Sequence, residues 1–184
     1  MFIKKSFIVL ITAFLLGQIC CANEAIIAKN NAYRHNNKGL IFLEEHYYYG
    51  AIKEFQIAID LNPNSQASAA FYTNLGTTYE KLGYYNLAKP CFEKAVTLNA
   101  LCFDYYLKMA ENYKKLGIVD KKLNEYIAKN NSPLNDIIIG LLYIQKGEKS
   151  TGMTMLDEFC NKEPNLIITV GVRNYLDGLM KKSN

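Results

Sequence analysis

The sequence has little of several residue types that common functional sites require. Its 184 residues include no Trp, four Pro, two His and only two Arg. The low proline count and the 50% apolar content exclude a collagen-like chain, a low-complexity chain and wholesale disorder. The formal net charge is +4, and so few arginines are a poor basis for binding nucleic acid. We therefore expect one globular domain with no nucleic-acid partner.

Motifs of enzymes and metal sites are also missing. The sequence contains no phosphate-binding or dinucleotide-binding glycine loop, no zinc-protease helix motif and no serine-hydrolase motif. Neither His35 nor His46 has a visible partner that would make it a catalytic base. Cys91, Cys102 and Cys160 show no C-x-x-C spacing and no accompanying ligand cluster. We expect no enzymatic activity, no cofactor and no metal.

Residues 1–22 have the pattern of a secretory signal peptide. Two lysines come first, an apolar run over residues 7–16 follows, and Ala22 supplies a small residue at the predicted cleavage site. The run falls short of the roughly 20 apolar residues that span a bilayer. Cleavage after Ala22 removes the two lysines and leaves a mature chain of net charge +2. The expected location is the periplasm or the outside of the cell, or a membrane surface if the segment is retained.

Cys20 leaves a lipoprotein alternative open. Bacterial lipoproteins carry Leu three residues before the lipidated cysteine, whereas here Gly17 holds that position and Leu16 lies one place too early. Lipidation of Cys20 would anchor the protein to a membrane without spanning it. Without the signal segment three cysteines remain, an odd number that cannot all pair within one chain, and one disulfide stays open as an alternative to packed thiols.

The rest of the chain repeats one pattern four times. A small residue is followed three places later by an aromatic one, and the small residues recur at intervals of 37, 34 and 30. Further residues follow at helical spacing, so each repeat predicts a helix, a tight turn and a second helix. The pairs are Gly39/Phe42, Gly76/Tyr79, Ala110/Tyr113 and Gly140/Tyr143. Gly or Ala there is expected to face Ala in the second helix, as Gly76 would face Ala88, which allows the two helix backbones to approach closely.

The turns between the paired helices are predicted at four places. Three of them contain glycine, which suits the left-handed residue at a helix C-terminus. Pro63 and Pro164 are expected to end the second helices of the first and last units, since proline lacks an amide hydrogen. The turns are Glu45-His46-Tyr47, Leu82-Gly83-Tyr84, Leu116-Gly117-Ile118 and Lys146-Gly147-Glu148.

This pattern resembles the tetratricopeptide repeat (TPR) family. The second unit matches best, through Tyr72, Leu75, Gly76, Tyr79, Gly83, Tyr85, Ala88, Phe92 and Ala95. In the first unit His35 stands where the family often has Trp. The third unit departs from the pattern, because Lys122 and Lys129 replace the two small residues of its second helix.

The resemblance implies an all-α fold, an α-solenoid of about four helix-turn-helix units with a C-terminal capping helix. The units are expected over residues 32–65, 69–102, 103–132 and 133–166, after a lead-in segment over 23–31. Residues 167–184 are predicted to form the capping helix and tail. A terminal cap covers the open end of such a stack and keeps it soluble.

The resemblance also implies a partner-binding groove lined by the first helix of each unit. The partner would be a peptide or another protein, of unknown identity, held by side-chain amides and apolar pockets. The predicted groove residues are Tyr33, Asn36, Leu40, Thr73, Asn74, Thr77, Leu107, Lys108, Glu111, Ile137 and Leu141. The expected function is that of an exported, non-catalytic interaction module. The alternative is a membrane-tethered TPR lipoprotein that acts as an envelope or pilus assembly factor.

Overall fold

The computed structural model describes residues 24–129 and 132–181, so the predictions for the signal segment and Cys20 lie outside the described residues. Within these two ranges the backbone forms nine α-helices and no strand, which confirms the all-α prediction. The helices are α1 (residues 24–44), α2 (Tyr48–Leu61), α3 (Ser68–Lys81), α4 (Tyr85–Leu98), α5 (Phe103–Lys115), α6 (Val119–Ala128), α7 (Pro133–Lys146), α8 (Lys149–Lys162) and α9 (Ile167–Lys181).

Eight of these helices form four successive pairs joined by the predicted turns. Residues 24–31, which belong to the predicted lead-in segment, are helical and form the first turns of α1. Pro63 and Pro164 each follow a second helix by two residues, as expected from the missing amide hydrogen. The turns connect α1 to α2, α3 to α4, α5 to α6, and α7 to α8.

All four turns share one hydrogen-bonded geometry. In each, one residue has a positive φ angle, and the next residue donates its N–H to the carbonyl five residues earlier. The Tyr84 N–H, for example, donates to the Tyr79 carbonyl at 2.9 Å. This is the Schellman motif, which favours glycine at the left-handed position. That position is held by Gly83, Gly117 and Gly147, and by His46 in the first turn.

The small residues of the first helices face large apolar side chains of the second helices. A Cβ atom added at Gly76 would lie 2.9 Å from a ring carbon of Phe92 and 3.1 Å from the Cβ of Cys91. The sequence predicted Ala88 as the facing residue. Ala88 is fully buried, but the Phe92 ring lies closest to Gly76. Glycine therefore admits an aromatic ring as well as a close backbone. The same relation holds for Gly39 with Phe55 and for Gly140 with Leu156.

The third pair is built differently because Lys122 stands in its second helix where the other units have Gly or Ala. The Lys122 ammonium lies 5.3 Å from the centre of the Tyr113 ring and pairs with Glu125 at 2.9 Å and Glu93 at 3.5 Å. A charged side chain thus occupies the place where other units have Gly or Ala. As a result α6 packs mainly against α7, and α5 packs against α4 and α7.

Helix α9 packs against α8 and also reaches α5. A Cβ added at Gly171 would lie 2.7 Å from the Cβ of Phe103, and the Phe103 and Tyr175 rings are 5.4 Å apart between centroids. Helix α7 is buried along residues 137–142, surrounded by α5, α6 and α8. Together with α9 these helices share one apolar core, and the first two pairs share another. The last helix therefore does more than cover the end of a stack.

Candidate partner-binding surface

Helices α1, α3 and α5 present most of the predicted groove residues to solvent. We call this set the first-helix surface. Eight of its residues are partly or well exposed, and Asn36 is 7% exposed. Its members are Tyr33, Asn36, Leu40, Thr73, Asn74, Thr77, Leu107, Lys108 and Glu111.

A hydrogen bond between two side-chain amides joins α1 to α3 on this surface. The Asn74 Nδ2 donates to the Asn36 Oδ1 at 2.9 Å. This bond uses one polar atom of each amide and leaves the Asn74 carbonyl oxygen and the Asn36 amino group for other partners. Those two groups are the complement of a peptide unit, which offers one N–H and one C=O.

A second polar cluster joins α3 to α5 beneath this surface. Asn112 is fully buried and donates from Nδ2 to Oε1 of Glu80 at 2.9 Å and to the Tyr85 carbonyl at 3.2 Å. Lys115 pairs with the other oxygen of Glu80 at 2.7 Å. Sequence reasoning missed this cluster. The sequence signal for this cluster is Asn112, an amide side chain at the position that holds Thr78 in the second unit and Leu142 in the fourth.

The first-helix surface ends at the third unit. Lys108 and Glu111 pair at 3.2 Å, so their charges largely cancel. Burial raises the pKa of Tyr175 on α9, and the charge of Glu111 raises it further. Because Tyr175 also packs on Phe103 of α5, helix α9 forms the boundary of the open surface.

Two predicted groove residues are not part of that surface. Ile137 and Leu141 on α7 have no exposed area at all. The sequence-based assignment assumed that the solenoid stays open along its length, whereas here α7 lies in the interior of the second core. A signal for this was present: residues 137–142, Ile-Ile-Ile-Gly-Leu-Leu, are apolar on every side of the helix, which is typical of a fully buried helix.

Comparison with known proteins agrees with the repeat pattern. A family model described as tetratricopeptide repeat matches residues 69–100, which correspond to the α3–α4 pair and its flanks. Residues 69–100 therefore match one tetratricopeptide repeat, and the chain as a whole is similar to proteins that contain such repeats. It is similar to the TPR repeat-containing protein MJ1428 of Methanocaldococcus jannaschii, with 25% identity over 139 residues. That alignment covers 73% of this chain and 24% of the relative, so the chain spans about a quarter of the relative's length.

Solved structures show the same fold at low identity. A tetratricopeptide repeat protein from Parabacteroides merdae superposes with a TM-score of 0.51 at 20% identity, covering 83% of this chain and 61% of the other. The Pseudomonas aeruginosa protein pilF superposes with a TM-score of 0.50 at 19% identity, covering 79% and 67%. These likenesses confirm the predicted α-solenoid fold.

The position where TPR units often have Trp holds a hydrogen-bonding side chain here, that of His35. Its Nδ1 lies 2.6 Å from Oε2 of Glu54, and Lys38 Nζ lies 2.7 Å from Oε1. Burial of the Glu54 carboxyl disfavours its charged form, but the hydrogen bonds from Lys38 and His35 outweigh burial, and the pKa of Glu54 lies below its ordinary value. This cluster ties α1 to α2.

The described residues contain neither a metal-binding cluster nor a membrane-spanning helix. Between residues 24 and 181, with 130–131 set aside, no group of three His, Cys, Asp or Glu side chains could hold a metal ion. Over the same part of the chain, no helix has the length and apolar character needed to cross a membrane. The three cysteines there are free thiols, and Cys91 and Cys160 are buried.

Proposed function

We propose that this protein is an exported, non-catalytic TPR module that binds an extended segment of a partner protein along the first-helix surface. The observation that carries the proposal is the Asn36–Asn74 pair, which joins α1 to α3 on this surface and leaves one amide donor and one amide acceptor unused by the bond between them. Such a pair can hydrogen-bond the main chain of a partner segment. Apolar side chains that are partly exposed on the same surface, such as Leu40 and Leu107, can contact the side chains of that segment.

The charges beside the surface indicate the kind of partner. Lys108 is paired with Glu111, and Lys115 is paired with Glu80. The surface therefore carries little net charge, which favours a segment without a strong charge of either sign. We expect the affinity to change little from low to high salt, because long-range attraction contributes little where charges are already paired.

Affinity capture with matched variants tests this proposal. The partner is captured with the wild-type mature chain from its native host and then titrated against Thr77→Arg on the surface and Asn124→Arg on α6. Thr77 is partly exposed on α3, and Asn124 is exposed away from the surface. Thr77→Arg should weaken binding by about tenfold or more, because a bulky charge would block the surface. Equal binding by both variants, each with a normal thermal melt, would reject the surface.

Export is part of the proposal and has its own test. Its support is the signal-like pattern of residues 1–22. Expression in the native host followed by fractionation and intact-mass analysis should give a soluble exported chain that begins at Asn23. A lipid mass on Cys20 would instead favour the membrane-tethered assembly factor. A cytoplasmic chain of full length would contradict export in either form.

A further inference from the structure

Two tyrosines from successive units meet at the edge of the fold where the turns lie. Tyr49 is in the first turn of α2, and Tyr84 immediately precedes α4. Their hydroxyl oxygens are 3.4 Å apart, although the residues are 35 positions apart in the chain. Tyr49 is 65% exposed and Tyr84 is 44% exposed. A reagent in solution can therefore reach both rings while the fold holds them together.

Backbone hydrogen bonds in the two turns fix the positions of Tyr49 and Tyr84. Tyr84 is anchored by the Schellman bond from its N–H to the Tyr79 carbonyl, at 2.9 Å. Tyr49 follows the equivalent turn of the first unit, where the Tyr47 N–H donates to the Phe42 carbonyl at 2.7 Å. Because the α2 and α3 helices pack together, these two turn edges stay adjacent.

Among the described residues, Tyr113 and Tyr47 illustrate tyrosines that do not combine close approach to another tyrosine with exposure. Tyr113 is fully buried, and its hydroxyl donates to Oε1 of Glu93 at 2.7 Å. Tyr47 is well exposed, but its ring packs edge-on against Phe42 at 5.3 Å between centroids. Tyr47 is therefore a matched control, exposed at the same edge without a tyrosine in ring contact.

We propose that Tyr49 and Tyr84 are a site of oxidative crosslinking, with a haem peroxidase and hydrogen peroxide as the oxidising system. Each phenol loses one hydrogen atom to the peroxidase and becomes a phenoxyl radical. The two radicals join by a new carbon–carbon bond between the ring carbons next to each hydroxyl. The hydrogens on those carbons then move to the oxygens and restore two phenols. Overall the chain loses two hydrogen atoms, and one peroxide is reduced to two waters.

The crosslink would covalently fasten the first unit to the second. It would close a loop of 35 residues in the unfolded chain and so reduce the conformational freedom that unfolding gains. The crosslinked protein should melt several degrees higher than the untreated protein. This modification does not depend on the first-helix surface, since both tyrosines lie at the turn edge.

The test treats dilute wild-type protein with a haem peroxidase and hydrogen peroxide, and then maps the digest by mass spectrometry. The expected product is a monomer with blue dityrosine fluorescence, two hydrogens lighter, whose crosslinked peptide joins Tyr49 to Tyr84. Tyr49→Phe and Tyr84→Phe should each abolish that peptide, while Tyr47→Phe should retain it. Melts of the untreated variants check that each one folds. A crosslink that maps to other tyrosines in wild-type protein, or one that forms only between molecules, would overturn the proposal.

Discussion

The Nδ1 atom of His35 lies 2.6 Å from Oε2 of Glu54, and the side chain of Glu54 is 8% exposed. A carboxylate so deeply placed needs its partners, because an unpaired buried charge is costly. Lys38 supplies the second contact at 2.7 Å. The first helix pair is thus held by a charged cluster as well as by its apolar core.

This cluster predicts acid sensitivity. The pKa of Glu54 is lowered in the folded chain, so between that pKa and its ordinary value of 4.5 the unfolded chain binds more protons. Stability from Glu54 is complete above the ordinary value and is lost as the pH falls through the lowered pKa. Glu54→Gln should cost about 1–3 kcal/mol at neutral pH, since a charge-assisted pair is lost. The melting temperature of this variant should also fall less steeply than that of the wild-type protein as the pH drops below 4.5.

Thermal melts over a pH series check this prediction. The control is Glu45→Gln, which removes an exposed carboxyl in the first turn. Identical pH slopes for wild-type protein and Glu54→Gln would contradict the account of the cluster.

Replacing His46 by glycine should stabilise the protein. His46 has φ +60°, and it is the non-glycine residue at the left-handed position that three other turns give to glycine. An L side chain at such an angle costs about 1–2 kcal/mol. His46→Gly should therefore raise the melting temperature by roughly 2–4 °C for each kcal/mol recovered. The bond from His46 to the Tyr48 hydroxyl is exposed and offsets little of this gain.

Gly83→Ala is the opposite experiment in the second turn. No heavy atom lies within 4 Å of a Cβ at Gly83, so only the backbone angle of +77° opposes the substitution. We expect a loss of about 1 kcal/mol. Were His46→Gly destabilising and Gly83→Ala neutral in the same melts, the turn geometry described above would be wrong.

Three glycines inside helices predict a graded series. A Cβ at Gly152 would collide with the Gly140 carbonyl oxygen, a backbone atom that cannot move aside. At Gly76 the nearest atom belongs to the Phe92 ring, 2.9 Å away, which can shift. At Gly178 no heavy atom lies within 4 Å. Alanine should therefore reduce the free energy of unfolding most at Gly152. At Gly76 the loss should be smaller, about 1–3 kcal/mol or less. At Gly178 alanine should stabilise the helix.

Urea unfolding of the three alanine variants measures this order. Gly76→Leu extends the series, since a longer side chain should cost more than alanine at the same place. A loss at Gly178 as large as that at Gly152 would contradict this explanation, because neither close approach nor helix propensity opposes alanine at Gly178.

The thiols should differ in reactivity. Burial raises the pKa of Cys91 to about 11, and it also raises the pKa of Cys160. Since the thiolate is the reactive form, both should resist alkylation in the folded chain. Cys102 is partly exposed and should react first. Timed maleimide labelling with peptide mapping gives the order, and rapid modification of Cys91 in native protein would contradict the burial described here.

The helix pairs and their turns could be predicted from the sequence because both are local. A small residue three places from an aromatic one reports helical periodicity, and glycine reports the left-handed position of a turn. A turn at His46 is predicted only because His46 has the same position in its repeat as the glycines of the other three turns. Its positive φ angle could not be predicted from its side chain, which is uncommon at that angle.

The candidate site was less predictable because it depends on distant contacts. His35 and Glu54 are 19 residues apart, and this spacing does not by itself predict that their side chains interact. The path of α9 across α5 depends on Gly171 meeting Phe103. Assuming a regular solenoid therefore placed Ile137 and Leu141 on an open surface, whereas they are interior. The repeat pattern predicts which helices are neighbours only where a unit keeps small residues in both of its helices. In the third unit Lys122 replaces the small residue of the second helix.

Photo-crosslinking at position 77 tests the central claim most directly. A benzophenone amino acid replaces Thr77 on the first-helix surface, and in a matched chain it replaces Asn124 on the exposed side of α6. Both proteins are expressed in the native host and irradiated. The account predicts a covalent adduct with one partner protein from position 77 and none from position 124. Adducts from position 124 with none from position 77 would contradict it.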